Sequence, residues 1–230
     1  MVQIPPALFM EKMFLGIDDA GRGPVLGPMV LAGVLVSEDG LKKLKAIGVK
    51  DSKMLTPIQR ENLAVQIKKI SSWHAVQVSP SEIDRSLATG TNLNKVEALK
   101  TAEIINELAK TGEIHVMVDC PSVNIIAWRN TLLEFVKNKH AIVACEHKAD
   151  VNHPEVSAAS IIAKTTRDHE IDLLQKKIPE DIGSGYPADP VTKQFLKHAD
   201  KYKHLGIIRE SWATFKALSG KKKQKSLTEF

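Results

Sequence analysis

The sequence predicts an α/β fold with a mixed sheet, and three observations carry that prediction. Short apolar, β-rich runs alternate with longer segments of helical period. The first two runs are separated only by a Gly-rich stretch, and three of the runs lead into an aspartate or a pair of them at or shortly beyond their ends. Strands alternating with helices call for crossovers and parallel pairing, whereas two strands joined by a short connection pair antiparallel, so the two patterns together give a mixed sheet. At 230 residues, 43% hydrophobic and 26% charged, the chain has the length and balance for one sizeable globular domain.

Phe14–Ile17 is the first run and stops at Asp18-Asp19. Ala20–Gly27 is Gly-rich and Met29–Val36 is the second run, which together read as a hairpin whose first strand ends in acids. Thr56-Pro57 opens a helical pattern through Ile70, with Thr56 at the N-cap and Pro57 in the first turn, where its missing N–H is not needed. Trp73–Val78 is the third strand, and Ser79–Asp84 begins a short helix behind Ser79-Pro80. Leu93–Lys110 carries Leu93, Val96, Leu99, Ile104, Ile105 and Leu108 at helical spacing. Ile114–Val118 is the fourth strand, ending at Asp119; Val123–Lys137 is a helix and Ala141–Cys145 the fifth strand. Val156–Leu174 is again helical, and the small residues Ser157–Ser160 allow a close neighbour.

A boundary falls at Pro179–Pro190, where Gly183, Gly185, Pro187 and Pro190 interrupt the pattern. The expected division is a catalytic domain over 1–178, a helical C-terminal extension over 179–220 built from Val191–Tyr202 and Glu210–Leu218, and a flexible charged tail over 221–230. No internal repeat is present.

A net charge of +5 suits a polyanionic partner without establishing one. Two cysteines, Cys120 and Cys145, rule out a disulfide framework and fit a reducing interior. Met1–Phe14 holds no apolar run long enough for a signal peptide and no segment is able to span a bilayer, so a cytoplasmic protein without membrane contact is expected.

The chemistry is concentrated in the acids. Asp18-Asp19 follow the first strand, Asp119 the fourth, and Asp150 comes shortly after the fifth. Taken singly, each is an ordinary loop or helix cap. Taken together at strand ends, where α/β sheets usually place their ligands, they converge if the first and fourth strands are neighbours. Ionised carboxylates crowd together only when cations neutralise them, which implies Mg²⁺ or Mn²⁺, in a two-metal site able to activate water and stabilise the leaving oxygen of a phosphodiester. Gly21-Arg22-Gly23 is either a simple tight turn or a place where backbone amides approach a nucleic-acid strand closely enough to bond a 2′-hydroxyl.

Several segments, in order over Phe14 to Phe215, carry a family resemblance. They are Gly16-Ile17-Asp18-Asp19-Ala20-Gly21-Arg22-Gly23-Pro24, Asp51-Ser52-Lys53, Asn92-Leu93-Asn94, Val118-Asp119, His147-Lys148-Ala149-Asp150 running into Val156–Lys164, and Gly183-Ser184-Gly185-Tyr186-Pro187. The chain resembles the type 2 ribonucleases H, the ribonuclease HII family, in its archaeal and eukaryotic-like branch. The resemblance implies a ribonuclease H-like sheet flanked by helices. It also implies endonucleolytic hydrolysis of RNA in RNA–DNA hybrids and at single ribonucleotides in duplex DNA, leaving a 3′-hydroxyl and a 5′-phosphate. Carried onto matching positions, it makes Asp18, Asp19, Asp119 and Asp150 the metal-binding acids and Tyr186 the residue that packs on the sugar at the RNA–DNA junction. One departure is visible: the family usually has Glu where this chain has Asp19. Asp168, in Thr166-Arg167-Asp168, is a rival fourth acid, although its helical setting favours an ion pair with Arg167 or another base.

Gly21, Arg22, Gly23, Ser52, Lys53, Asn92, Asn94, Lys148 and Lys164 are the expected substrate contacts, the last six through phosphates or else as solvated surface. Gln224, Leu227 and Phe230 have the spacing of a sliding-clamp-binding box that ends after one aromatic rather than two. A monomer acting on RNA–DNA hybrid and ribonucleotide-containing duplex, and docking a clamp through its tail, is the expectation. A ribonuclease H-like nuclease acting on all-DNA substrates, such as a resolvase, and a non-catalytic nucleic-acid-binding module are the alternatives.

Overall fold

The structure is a computed structural model describing residues 12–49 and 55–218. Strand β1 (Met13–Ala20) pairs antiparallel with β2 (Met29–Ser37), and β2 pairs antiparallel with β3 (Ser72–Val78). On its other edge β1 runs parallel to β4 (Ile114–Asp119), which runs parallel to β5 (Ala141–Glu146). The sheet order is β3-β2-β1-β4-β5, the mixed arrangement expected from a hairpin followed by crossovers.

Alternation along the strands separates two cores, because successive strand residues point to opposite faces. Leu15, Ile17, Met29, Leu31, Val116, Val118 and Val143 face one way. They pack on α3 (Pro80–Ala88), α4 (Leu93–Leu108) and α5 (Ile125–Phe135) through Ile83, Ile104, Ile105, Trp128 and Leu132. Val30, Ala32, Val34 and Val36 face the other way. There they meet α1 (Glu38–Ala46), α2 (Pro57–Ile70) and α7 (Pro154–Lys177) through Leu44, Ile67, Ile161 and Ile162.

Helix α7 lies directly on the backbone of β1. A Cβ at Gly16 would stand 2.1 Å from the Glu155 carbonyl carbon and 2.3 Å from the Val156 nitrogen, so only glycine permits this crossing. The small residues Ser157–Ser160 that follow are all buried, in keeping with the close packing their size allows.

Thr56 caps α2 in a full capping box with Gln59, as its place before Pro57 suggests. Helix α1 is absent from the sequence reading. Ser37 caps it, Glu38 and Asp39 fill its first turn and Lys43 and Lys45 its last, which complements the helix dipole, but Gly40 in the first turn disguises it as a loop. The expected helix over Val191–Tyr202 is instead α8 (Pro190–Leu196) followed by a 3-10 helix, Ala199–Leu205, and the last helix begins at 213 rather than 210.

The C-terminal segment does not stand apart. Ile178, Ile182, Phe195, Ile207, Ile208 and Phe215 build a third core around Val25 and Leu26 from the loop between β1 and β2. Asp84 of α3 accepts hydrogen bonds from the Glu210 and Ser211 amides at 2.7 and 3.1 Å, which fastens the segment to the sheet layers.

Candidate active site

Parallel pairing places the C-terminal ends of β1, β4 and β5 on one edge of the sheet. Ile17 is opposite Val118, so one residue further along are Asp18 and Asp119. Asp150 arrives just after β5, in the four-residue helix α6 (Ala149–Asn152), behind a turn in which Lys148 takes the left-handed conformation with φ 57°. Asp119 Oδ1 accepts the Ala149 N–H at 3.1 Å, which ties the end of β4 to the start of α6. The four acids thus lie at, or just beyond, one edge of the sheet.

Asp18 and Asp150 are buried, and Asp19 and Asp119 half-buried. Burial pushes the Asp18 carboxyl well above its usual range, and the charges of Asp19 and Asp119 push it further the same way; hydrogen bonds from Ser160 and from the Asp19 N–H act in the opposite sense. Strand alternation puts Asp18 on the α7 side, where Ser160 bonds it, and Asp19 on the α4 side, where its charge acts on Glu97. Among the described residues no three His, Cys, Asp or Glu side chains form a ready-made metal cage. The donor chemistry nevertheless fits a hard cation: carboxylates only, one of them held out of its comfortable ionised state by burial and then by its neighbours.

The glycine loop is held from the far end of the chain. Arg209 is fully buried and donates to the Gly21 oxygen at 2.6 Å, the Arg22 oxygen at 2.8 Å and the Gly27 oxygen at 3.1 Å. Trp212 Nε1 donates to the Gly23 oxygen at 3.1 Å. Three successive carbonyls thus point at the C-terminal segment. In trans peptides, C=O and the following N–H are opposed, so the Arg22 and Gly23 amides are turned to the other side. Gly21 has φ +84°, and a Cβ there would meet the Arg167 side chain at 2.3 Å and the Pro28 oxygen at 2.9 Å. Burial, and then the nearby Arg167 charge, lower the Arg209 pKa to about 10, so it stays protonated at neutral pH.

Tyr186 stands beside this loop, its ring 3.9 Å from where a Gly23 Cβ would be and 5.3 Å, centroid to guanidinium, from buried Arg167. Asp189 fixes the Tyr186 turn: its Oδ2 accepts from Ser184 N at 2.6 Å and Ser184 Oγ at 2.7 Å, and these bonds hold its carboxyl down at about 2. Arg167 donates to the Ser184 oxygen at 3.3 Å and Gly185 O accepts from Val25 N at 2.8 Å, joining the turn to the glycine loop.

Arg22 bonds Glu97 Oε1 through Nε at 2.7 Å and Asn94 Oδ1 through Nη2 at 2.6 Å. Glu97 is buried, which raises its pKa to about 7; Asp19 pushes the same way and Arg22 opposes. Asn94 lines an open polar groove of about 430 Å³ with Asn92, Ser122 and Asn124. Asn92 also caps α4, accepting from Lys95 N at 2.9 Å. Lys148 is exposed near the acids, whereas Lys164 is paired with Asp168 one helical turn on, and Arg60 also reaches Asp168 at 3.5 Å. Asp168 therefore has the ion-pair job expected of it, with Lys164 and Arg60 as its nearer partners and Arg167 at 3.9 Å. Ser52, Lys53, Gln224, Leu227 and Phe230 lie outside the described residues.

Glu97, Arg167, Arg209 and Trp212 were not singled out as site residues from the sequence. They act across separations such as 75 and 188 residues, and no local spacing signals such contacts.

Known proteins resemble this chain over most of its length. The family model described as ribonuclease HII matches residues 15–215. A ribonuclease HII of Methanococcus maripaludis is 44% identical over 216 residues, covering 91% of this chain and 88% of the relative. The crystal structure of ribonuclease H2 from Pyrococcus horikoshii superposes with a TM-score of 0.80 at 39% identity, covering 91% of this chain and 98% of that one. The ribonuclease HII of Archaeoglobus fulgidus, solved in a PCNA complex, has a TM-score of 0.79 at 39% identity, covering 89% and 96%. With most of its length matched by the family model and by these relatives, the chain belongs to the ribonuclease HII family and is a metal-dependent endoribonuclease acting on the RNA of RNA–DNA hybrids.

Proposed function

We propose that this enzyme also incises duplex DNA at a single embedded ribonucleotide, leaving a 3′-hydroxyl and a 5′-phosphate. The observation that carries the reading is the glycine loop, whose three carbonyls are held by Arg209 and Trp212 while the Arg22 and Gly23 amides face away, beside Tyr186 and next to the acids. Such a rigid backbone edge suits recognition of one 2′-hydroxyl, and one is all a single ribonucleotide offers. Labelled duplexes with zero, one and several ribonucleotides, each with Mg²⁺ and with Mn²⁺, test it. Incision on the 5′ side of a lone ribonucleotide, with the all-DNA duplex intact, is the expected result; cleavage of all-DNA duplex would favour a resolvase-like nuclease instead.

Asp18, Asp19, Asp119 and Asp150 are the residues that would hold the divalent ions. When bound, these ions supply the charge that activates a water and stabilises the departing 3′-oxygen. The Arg22 and Gly23 amides orient the 2′-hydroxyl, and the Tyr186 ring, braced by Arg167, packs on the sugar. Asn92, Asn94 and Lys148 line the path of the phosphate backbone and position the duplex without reading sequence.

Asp19 carries a prediction of its own. It is one methylene shorter than the usual Glu and starts from the α4 side of the strand end. Mg²⁺ needs near-ideal octahedral ligands at about 2.0–2.1 Å, whereas Mn²⁺ usually binds a given site at least as tightly. Turnover is expected to be higher with Mn²⁺ than with Mg²⁺, and Asp19→Glu is expected to narrow the gap. An unchanged Mn²⁺ to Mg²⁺ activity ratio in titrations of both proteins would refute the idea.

The tail Gln224, Leu227 and Phe230, together with the PCNA complex of the Archaeoglobus fulgidus relative, supports docking on a sliding clamp. Deleting 221–230 should abolish association with the source organism's clamp in calorimetry and leave cleavage of short duplexes nearly unchanged. Failure of the full-length protein to bind that clamp removes the proposal.

A further inference from the structure

Arg22 sits where the glycine loop meets the polar groove, and a free guanidinium there would grip any phosphate. It is not free. Its Nε is bonded at 2.7 Å to Glu97, a carboxylate only 1% exposed whose second oxygen has no hydrogen-bond partner among the described residues. Its Nη2 donates to Asn94 Oδ1; the Asn94 amide nitrogen in turn donates to Ser122 Oγ at 3.3 Å, and Trp128 Nε1 donates to the Asn94 backbone carbonyl at 3.0 Å. Both ends of the fork are anchored to α4, while the side chain remains 39% exposed.

An unneutralised cation adds phosphate affinity that requires no 2′-hydroxyl and is therefore open to all-DNA duplex. On the hybrid the same release gives up donors aimed beside the sugar, so DNA gains more than the hybrid and the difference between the two binding free energies narrows. A buried carboxyl against the guanidinium offsets part of its charge and keeps the fork's remaining N–H donors aimed.

We propose that Glu97 is a positioning residue that sets the enzyme's preference for ribonucleotide-containing over all-DNA duplex, by partly neutralising and aiming Arg22. The proposal rests on the function given above and concerns the same site.

The test measures binding of the full chain, in EDTA, to an all-DNA duplex and to the matched RNA–DNA hybrid across a salt series, alongside cleavage with Mg²⁺. Glu97→Gln keeps the shape and an acceptor for Arg22 but removes the charge. It is expected to bind all-DNA duplex about fivefold more tightly, with a log–log salt slope steeper by about 0.9, the increment for one more neutralised phosphate. The DNA to hybrid Kd ratio should fall correspondingly. Glu97→Ala, which also loses the aim, should cleave the hybrid roughly tenfold more slowly than Glu97→Gln. Adding Arg22→Ala to Glu97→Gln should erase the gain in DNA affinity, the signature of two residues acting as a unit. A Glu97→Gln protein with wild-type thermal stability, salt slope and Kd ratio overturns the proposal, as does one that weakens both duplexes equally. A wild-type protein with no preference for the hybrid overturns the functional reading, and this proposal with it.

Discussion

Asp119→Asn is expected to lower turnover by at least about a thousandfold, equivalent to roughly 4 kcal/mol of barrier, with the fold unchanged. The side chain leaves the end of β4 directly opposite that of β1, and its charge is one of those that raise Asp18. Asparagine can still accept the Ala149 N–H that Asp119 Oδ1 takes at 3.1 Å, so the link to α6 survives and what is lost is the anionic donor. Single-turnover cleavage at saturating metal, with a thermal melt as control for folding, measures this. A folded variant retaining more than about a tenth of the activity, a loss of less than roughly 1.4 kcal/mol, would mean that Asp119 does not hold metal.

Arg209→Ala should be the most destabilising single change in the C-terminal segment, at about 3–5 kcal/mol in urea unfolding. It strips charged donors from the Gly21, Arg22 and Gly27 carbonyls at once and leaves a void where a side chain with no exposed surface had been. A buried acceptor left without a partner costs roughly 1–3 kcal/mol, and the carbonyls here relax only partly because Val25 and Leu26 beside them are locked in the third core. Arg209→Lys should recover little, because one ammonium cannot reproduce a fork reaching three carbonyls. Cleavage assayed well below the unfolding midpoint should also drop, since the loop amides lose their set. Wild-type cleavage by a destabilised but folded Arg209→Ala would show that loop geometry is not what the arginine secures.

The strands and the acids were legible in the sequence because both are written locally. Period-two and period-3.6 patterns set the elements, and the hairpin plus crossovers forced Asp18 and Asp119 onto one edge. Helix α1 was hidden by Gly40, which occupies a turn that Ser37, Glu38 and Asp39 nevertheless cap and charge correctly. One further helical signal broke at a chain-level constraint: Val191–Tyr202 divides at Lys197-His198, where Leu196 and Ala199 both turn into the third core. Within the site, Asn94 was noticed only as a phosphate contact, and Glu97, which shares Arg22 with it, was not singled out. Its importance lies in burial against Arg22, which no spacing encodes. The same is true of Arg209, whose sequence neighbours give no hint of the loop it holds.

That loop also sets a timetable. The acids of β1 leave the ribosome early, but the backbone that must stand beside them waits for Arg209, 188 residues behind its bond to Gly21. At about 5–20 residues per second, the interval is on the order of ten to forty seconds of translation. During that time the nascent chain can assemble its sheet and bring the carboxylates together while still lacking a rigid sugar-reading edge. A polypeptide released short of Arg209 would therefore lack both side chains that hold the glycine loop and, with them, the edge proposed to read the sugar.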